Sequence, residues 1–315
     1  MNKKINFLEP NEKILFQIRE GMCSRGCSYC YEKTKPKTEM AFDIIEHGFR
    51  MLESLDIKEA ELIGSEPTEY SKWDDLIKLA RQQGISLIVY TSGLHLNRLD
   101  NDVVKELILH VMFKPNIVFM DGIKRLLDRG LFIYLRVNFD VRDLGDKEII
   151  YSFLEQLPQQ YHKQISLKYS FTAKTENVTI EYTNIDTFKK IKPKFLEFCE
   201  EMHDRYPDVM MCAERPIFKC CFTTEEQKEY SYAGLNSKCW MEYTIYKDGK
   251  IALCPPVENL IPKRKIETGE QLVSAIKKIR GNRDKLIKKP SFTVCENCEF
   301  RHDASCQGGC FSYKL

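Results

Sequence analysis

Three cysteines, Cys23, Cys27 and Cys30, stand as C-x3-C-x2-C in the stretch MCSRGCSYCYEK. Three thiolates on a short loop can each hold one iron of a cubane 4Fe-4S cluster, which leaves the fourth iron open. A structural zinc site would recruit a fourth protein ligand, and the nearest histidine, His47, falls inside a helical pattern. A zinc knob or three buried free thiols are the plain alternatives.

A second group crowds the last third of the chain. Cys239 and Cys254 are spaced C-x9-G-x4-C, with Asp248 and Gly249 at the turn of an expected hairpin between EYTIY and KIALC. Cys295, Cys298, Cys306 and Cys310 follow as C-x2-C-x7-C-x3-C. On spacing alone a zinc ribbon built from two knuckles also fits. Cys199 falls in a helical pattern and reads as core.

Thirteen cysteines in 315 residues, with none between Cys30 and Cys199, suit two metal-binding regions flanking a cysteine-free body. The charge is nearly balanced, 48 Lys and Arg against 46 Asp and Glu, so nothing favours nucleic acid or a membrane surface as partner. No apolar run approaches the roughly 18 residues of a spanning helix, and the start MNKKINFLEPNEK lacks the apolar stretch of a signal peptide. A soluble, cytoplasmic protein is expected.

The elements that must position these residues alternate between strand and helix. Strands are expected at 13–19, 59–64, 85–91, 107–113, 132–139 and 165–171, with helices at 42–55, 72–83, 101–108, 117–129 and 146–157. Asp43 near one helix start and Gly84 and Gly130 after two helix ends support this register. Six β/α steps are too few for a closed eight-stranded barrel, so the fold class is α/β, a partial (β/α)6 barrel with a small C-terminal cysteine-rich domain. A long helix at 186–205 should be kinked or split by Pro193 and closes the first domain, 1–205, leaving 206–315 as the second. Ligands gather at the carboxyl ends of such strands. There the sequence places the cysteine loop, GSEPT (64–68), TSG (91–93), and Arg136 with Asn138.

CSRGCSYC resembles the CxxxCxΦC signature of radical S-adenosylmethionine (SAM) enzymes, with Tyr29 as the aromatic residue. The resemblance implies that Cys23, Cys27 and Cys30 hold a 4Fe-4S cluster whose open iron is chelated by SAM. Reductive cleavage of SAM then yields a 5'-deoxyadenosyl radical that abstracts a substrate hydrogen atom. It also implies an electron donor such as flavodoxin or ferredoxin. GSEPT is similar to the family's GGEPT motif, so Gly64, Ser65 and Glu66 would contact the methionine amino group; Ser65 departs from the usual second glycine. TSG is similar to TNG, which makes Thr91 and Ser92 cofactor contacts, and Arg136 would meet the SAM carboxylate or ribose. Plainer roles stand beside these: a helix cap for Glu66, turn formation for Thr91 and Ser92, and an ion pair to Asp140 or Asp143 for Arg136.

Behind such a core, the tail resembles the SPASM (or twitch-like) extension, which implies one or two auxiliary 4Fe-4S clusters. Cys239, Cys254 and Cys310 would hold one, with Cys221 or Cys220 as fourth ligand. Cys295, Cys298 and Cys306 would hold the other. The C-x7-C step is longer than the family's C-x5-C, and no cysteine follows Cys310 to complete the second set. Asp303 or His302 could fill that position.

The resemblance implies oxidative modification or crosslinking of a ribosomally made peptide, forming a thioether or C–C bond or dehydrogenating it. The alternative is a radical SAM peptide epimerase or small-molecule dehydrogenase, with Cys212, Cys220 or Cys221 returning a hydrogen atom. With 22 residues ahead of Cys23, an N-terminal leader-binding domain is not expected. Recognition would then lie in the barrel and tail or in a separate leader-peptide-binding protein. Asp121 and Glu214 are carboxylates without a geometric warrant as bases, and His47, His95, His110, His162 and His203 show no ligand spacing.

Overall fold

The computed structural model describes residues 7–9, 12–24, 26, 30, 32, 34–139, 147–172, 182–239 and 241–314. Its centre is a ten-stranded sheet. The chain runs β1 (Lys13–Gln17), β2 (Arg19–Glu20), β3 (Thr38–Glu39), α1 (Phe42–Ser54), β4 (Glu59–Ile63), α2 (Trp73–Gln82), β5 (Ser86–Thr91) and β6 (Val104–His110). It continues with α3 (Ile117–Asp128), β7 (Phe132–Phe139), α4 (Lys147–Glu155), β8 (Ile165–Phe171), α5 (Ile185–Arg205) and β9 (Met210–Ala213). The tail adds α6 (Thr224–Glu229), β10 (Glu242–Ile245), β11 (Lys250–Leu253), β12 (Arg264–Lys265), α7 (Gly269–Ile287) and α8 (Glu299–His302).

Sheet order is β12-β11-β10-β1-β4-β5-β6-β7-β8-β9, and every pairing from β10 through β1 to β9 is parallel. Only the hairpin pairs β10–β11 and β11–β12 run antiparallel. The sheet does not close on itself, in keeping with a partial barrel of α/β class. The expected tail hairpin is present, and its first strand lies directly against β1, in register from Lys13 opposite Glu242 to Phe16 opposite Ile245.

Strand alternation sorts side chains between two faces. One face sends Ile14, Phe16, Leu62, Leu87, Val89, Leu107, Leu109, Ile133, Leu135 and Leu167 into the core. The other carries Leu15, Ile63, Tyr90, Ile108, His110, Arg136, Asn138 and Glu242, all of which line a cavity. Register aligns His110, Arg136 and Lys168 across β6, β7 and β8.

The expected helix at 101–108 is not formed. Val104–His110 is strand β6, and a short turn of 3-10 helix, Leu96–Leu99, fills the crossover. The strand is buried on both faces, Val104, Leu107 and Leu109 on one and Ile108 on the other, and such an apolar run imitates helical spacing. Pro193 lies inside α5 without splitting it. Ile191, Phe195, Phe198 and Cys199 are buried around it, and this packing offsets the lost backbone hydrogen bond. Strand β9, MMCA, extends the sheet where the sequence pattern offers no strand signal. No helix among the described residues is long and apolar enough to cross a membrane.

Candidate active site

One cavity collects the chemistry. Cys23 and Cys30 enter it from the loop after β1, Gly64 and Ser65 from the loop after β4, Thr91 and Ser92 from the end of β5, and Arg136 from β7. Cys239, Cys254 and Cys310 line it from the tail. Cys27 and Tyr29 lie outside the described residues.

The cysteine loop is held at its base by the β2–β3 pair, Arg19 opposite Glu39 and Glu20 opposite Thr38. Glu32, which is 1% exposed, accepts hydrogen bonds from Gln17 Nε2 at 2.8 Å and the Gly21 amide at 3.0 Å. Burial pushes its carboxyl above the usual range against the pull of Lys35. Lys35 also donates to Glu258 at 3.0 Å, which ties the loop to the tail. Ser24 donates to Glu69 at 3.0 Å, and Arg19 pairs with the same carboxylate, which ties it to the GSEPT loop. Gly64 has φ +138°, and a Cβ there would collide with the Arg19 carbonyl, so only glycine lets these two segments meet.

Beside the contact that its motif implies, Glu66 has a structural job. Its carboxylate is fully buried and accepts from Thr68 Oγ1 (2.6 Å), Thr91 Oγ1 (2.8 Å), the Ser92 amide (2.9 Å) and Ser92 Oγ (2.7 Å). It also caps the 3-10 turn Pro67–Glu69. Glu66 thus clamps the β4 and β5 loops together and is not among the residues lining the cavity. Ser65 and Ser92 stand at the cavity, held there by that clamp.

Arg136 donates through Nε to Glu214 at 2.8 Å, and Asp140 and Asp143 lie outside the described residues. Burial works against ionisation of Glu214, but Arg136, Arg215 and Lys168 outweigh it and hold the carboxyl below its usual range. Glu242 faces the opposite balance: burial, with Glu61 and Glu214 nearby, brings it up to about 7. Tyr90 donates to Glu61 at 3.1 Å and to Glu242 at 3.4 Å. Burial and the Arg136 charge bring His110 down to about 3, so its imidazole is neutral at physiological pH. Tyr90, His110, Arg215 and Glu242 were not singled out from the sequence. For Tyr90, His110 and Glu242 the signal is a polar residue at an inward strand position, readable only once the strand's inner face is known; Arg215 follows β9 and has no such signal.

The tail thiols fall into two neighbourhoods. Burial raises Cys254, and so do Glu242 and the thiols of Cys239 and Cys310. Burial raises Cys295 too, and so do Cys220, Cys298 and Cys306. Neither Cys220 nor Cys221 lines the cavity where Cys239, Cys254 and Cys310 meet. Asp121 is exposed on α3, away from the cavity. Among the described residues no three His, Cys, Asp or Glu side chains converge on a single ion.

Solved structures share this architecture. SuiB of Streptococcus suis, bound to S-adenosylmethionine, superposes with a TM-score of 0.66 at 13% identity, over 96% of this chain and 73% of SuiB. SuiB bound to its precursor peptide SuiA gives 0.65 at 13% identity, over 96% and 72%. AnSMEcpe with bound AdoMet and a Kp18Cys peptide gives 0.63 at 14% identity, over 95% and 89%. The chain has the fold of radical SAM peptide maturases. No protein-family model matches the sequence, and no curated protein does either. The cavity runs along the inner face of the sheet and reaches the loops at the carboxyl ends of β4 and β5, where the motif residues meet.

Proposed function

We propose that the protein is a radical SAM oxidoreductase that modifies a peptide inside this cavity. The observation that carries the reading is the meeting of two thiol groups, Cys23 with Cys30 and Cys239 with Cys254 and Cys310, on one cavity with Ser65, Ser92 and Arg136 between them. The donor set fits the group: soft thiols from one loop, the hydroxyl of Ser65, and a guanidinium for a carboxylate or ribose. When bound, SAM on a 4Fe-4S cluster supplies the hydrogen-abstracting radical, and an auxiliary cluster supplies an electron acceptor. The peptide ligands of SuiB and anSMEcpe support a peptide as substrate.

This chain's own residues supply orientation and proton handling. Arg136 lines the cavity and is fixed there through Nε by Glu214. Glu214 is committed to that pair, whereas Glu242 accepts only a long bond from Tyr90 among the described residues. Glu242 is therefore the side chain placed to take the proton that leaves the substrate during a two-electron oxidation. The epimerase alternative requires a thiol that returns a hydrogen atom, but Cys212, Cys220 and Cys221 all lie off the cavity wall. That placement favours oxidation.

The test is SAM cleavage under anaerobic reduction, followed by mass analysis of a candidate peptide. Deoxyadenosine release with loss of two hydrogens supports the reading; release with deuterium uptake from solvent supports epimerisation. Glu242→Gln should keep deoxyadenosine release and lower product formation by about 100-fold, the ordinary range for a proton acceptor.

A further inference from the structure

A second set of thiols lies in the tail, away from the cavity. Cys295 and Cys306 are buried and Cys298 is half-buried, on the stretch from the turn Thr293–Cys295 through α8 to the final turn Phe311–Lys314. The Gly308 amide donates to Cys306 Sγ at 3.3 Å, a contact common around cluster sulfurs. Gly309 has φ +84°, and a Cβ there would press on Phe218 at 2.7 Å. Three cysteines leave one position of a cube unfilled.

The segment from Phe218 to Cys221 packs directly onto this stretch. The Phe218 ring centroid lies 5.6 Å from Phe292 and 5.5 Å from Tyr313. Lys219 Nζ sits 5.0 Å from the Phe300 ring, between Cys298 and Cys306 in the chain. Cys220 comes next, exposed, while Cys221 turns into the core at 7% exposure.

We propose that Cys220 is the fourth cysteine ligand of a 4Fe-4S cluster held by Cys295, Cys298 and Cys306. The proposal rests on the iron-sulfur reading of the tail and takes the fourth ligand from the segment after β9. Asp303 is engaged elsewhere, its carboxylate accepting from the Ser305 amide at 2.8 Å. His302 is exposed on α8.

Charge agrees with a cluster. Four thiolates carry more negative charge than a cube offsets, and cations flank the site. Arg301 donates to the Cys295 carbonyl at 3.2 Å.

The test counts iron and acid-labile sulfide in the anaerobically reconstituted full chain, with Mössbauer and EPR spectra. Relative to wild type, Cys295→Ala and Cys220→Ala should each lose about four irons, or the one iron they ligate with a three-iron EPR signal in its place. Cys221→Ala should lose none. Wild-type iron and spectra in Cys220→Ala, beside a loss in Cys295→Ala, would overturn the assignment of Cys220. No loss in either would overturn the auxiliary-cluster reading itself, as would zinc bound without sulfide. Cys220→Ser guards against a folding defect: it should keep iron with an altered EPR signal, and an unaltered signal also counts against the proposal.

Discussion

The two cysteine-bearing regions are built in opposite ways. The N-terminal loop keeps Cys23 and Cys30 within one short excursion between β1 and α1, closed by the two-residue strands β2 and β3. The tail assembles its thiols from segments far apart in the chain, joined by the β10–β11 hairpin and a cluster of aromatic rings around Phe218, Phe292 and Tyr313. A local site needs little from the rest of the fold. A dispersed one is only as stable as the packing that gathers it.

The largest effect should separate the two regions outright. Cys30→Ala should abolish deoxyadenosine formation in a reduced assay while the tail keeps its iron; release at the wild-type rate would remove the basis for the proposed function. Phe218→Ala should act the other way, costing about 4 kcal/mol through the cavity it leaves. Iron should then be lost from the tail before the loop, as a denaturant titration with iron analysis would show.

A smaller effect sits where tail and barrel meet. Glu12 accepts from Arg280 on α7 and from Tyr243 on β10 at 2.7 Å. Burial disfavours its charge, but the hydrogen bonds from Arg280 and Tyr243 win and hold it below its ordinary value. The link therefore stabilises the fold at neutral pH and is lost as pH falls through that lowered value. Glu12→Gln should cost about 3 kcal/mol at pH 7, and the gap to wild type in Tm should narrow in acid. Equal gaps at both pH values would show that the charge is not what matters. Smallest of all, Ser24→Ala removes one exposed hydrogen bond to Glu69 and should change stability by no more than about 0.5 kcal/mol.

Much of the local site was readable from residue order because its parts sit at strand ends. The runs 13–17, 59–63, 86–91, 132–139 and 165–171 form strands close to where their apolar pattern places them, which brings Gly64, Ser65, Thr91, Ser92 and Arg136 to one cavity. The strand expected at 107–113 is β6, Val104–His110, and its first residues imitate the helix expected at 101–108 because an apolar run buried on both faces has no diagnostic period. The place of β10 beside β1 was hidden for another reason: parallel pairing between distant segments leaves no local mark. Glu242 carries no sequence signal for the same reason, and Cys220 reads in sequence as a candidate ligand of the other tail set, since both owe their positions to tertiary packing of the tail.

Strand β1 is flanked by β4 on one side and by β10 on the other. During synthesis its second edge therefore stays bare until residues 242–245 emerge, and that edge belongs to the apolar run KILFQ. A bare apolar edge invites pairing with a second chain. Lys13, paired with Glu61 and set opposite Glu242, is the one charge on this strand, and charged side chains of this kind discourage such pairing. The tail is thus also the cap that shields the oldest strand of the sheet from aggregation.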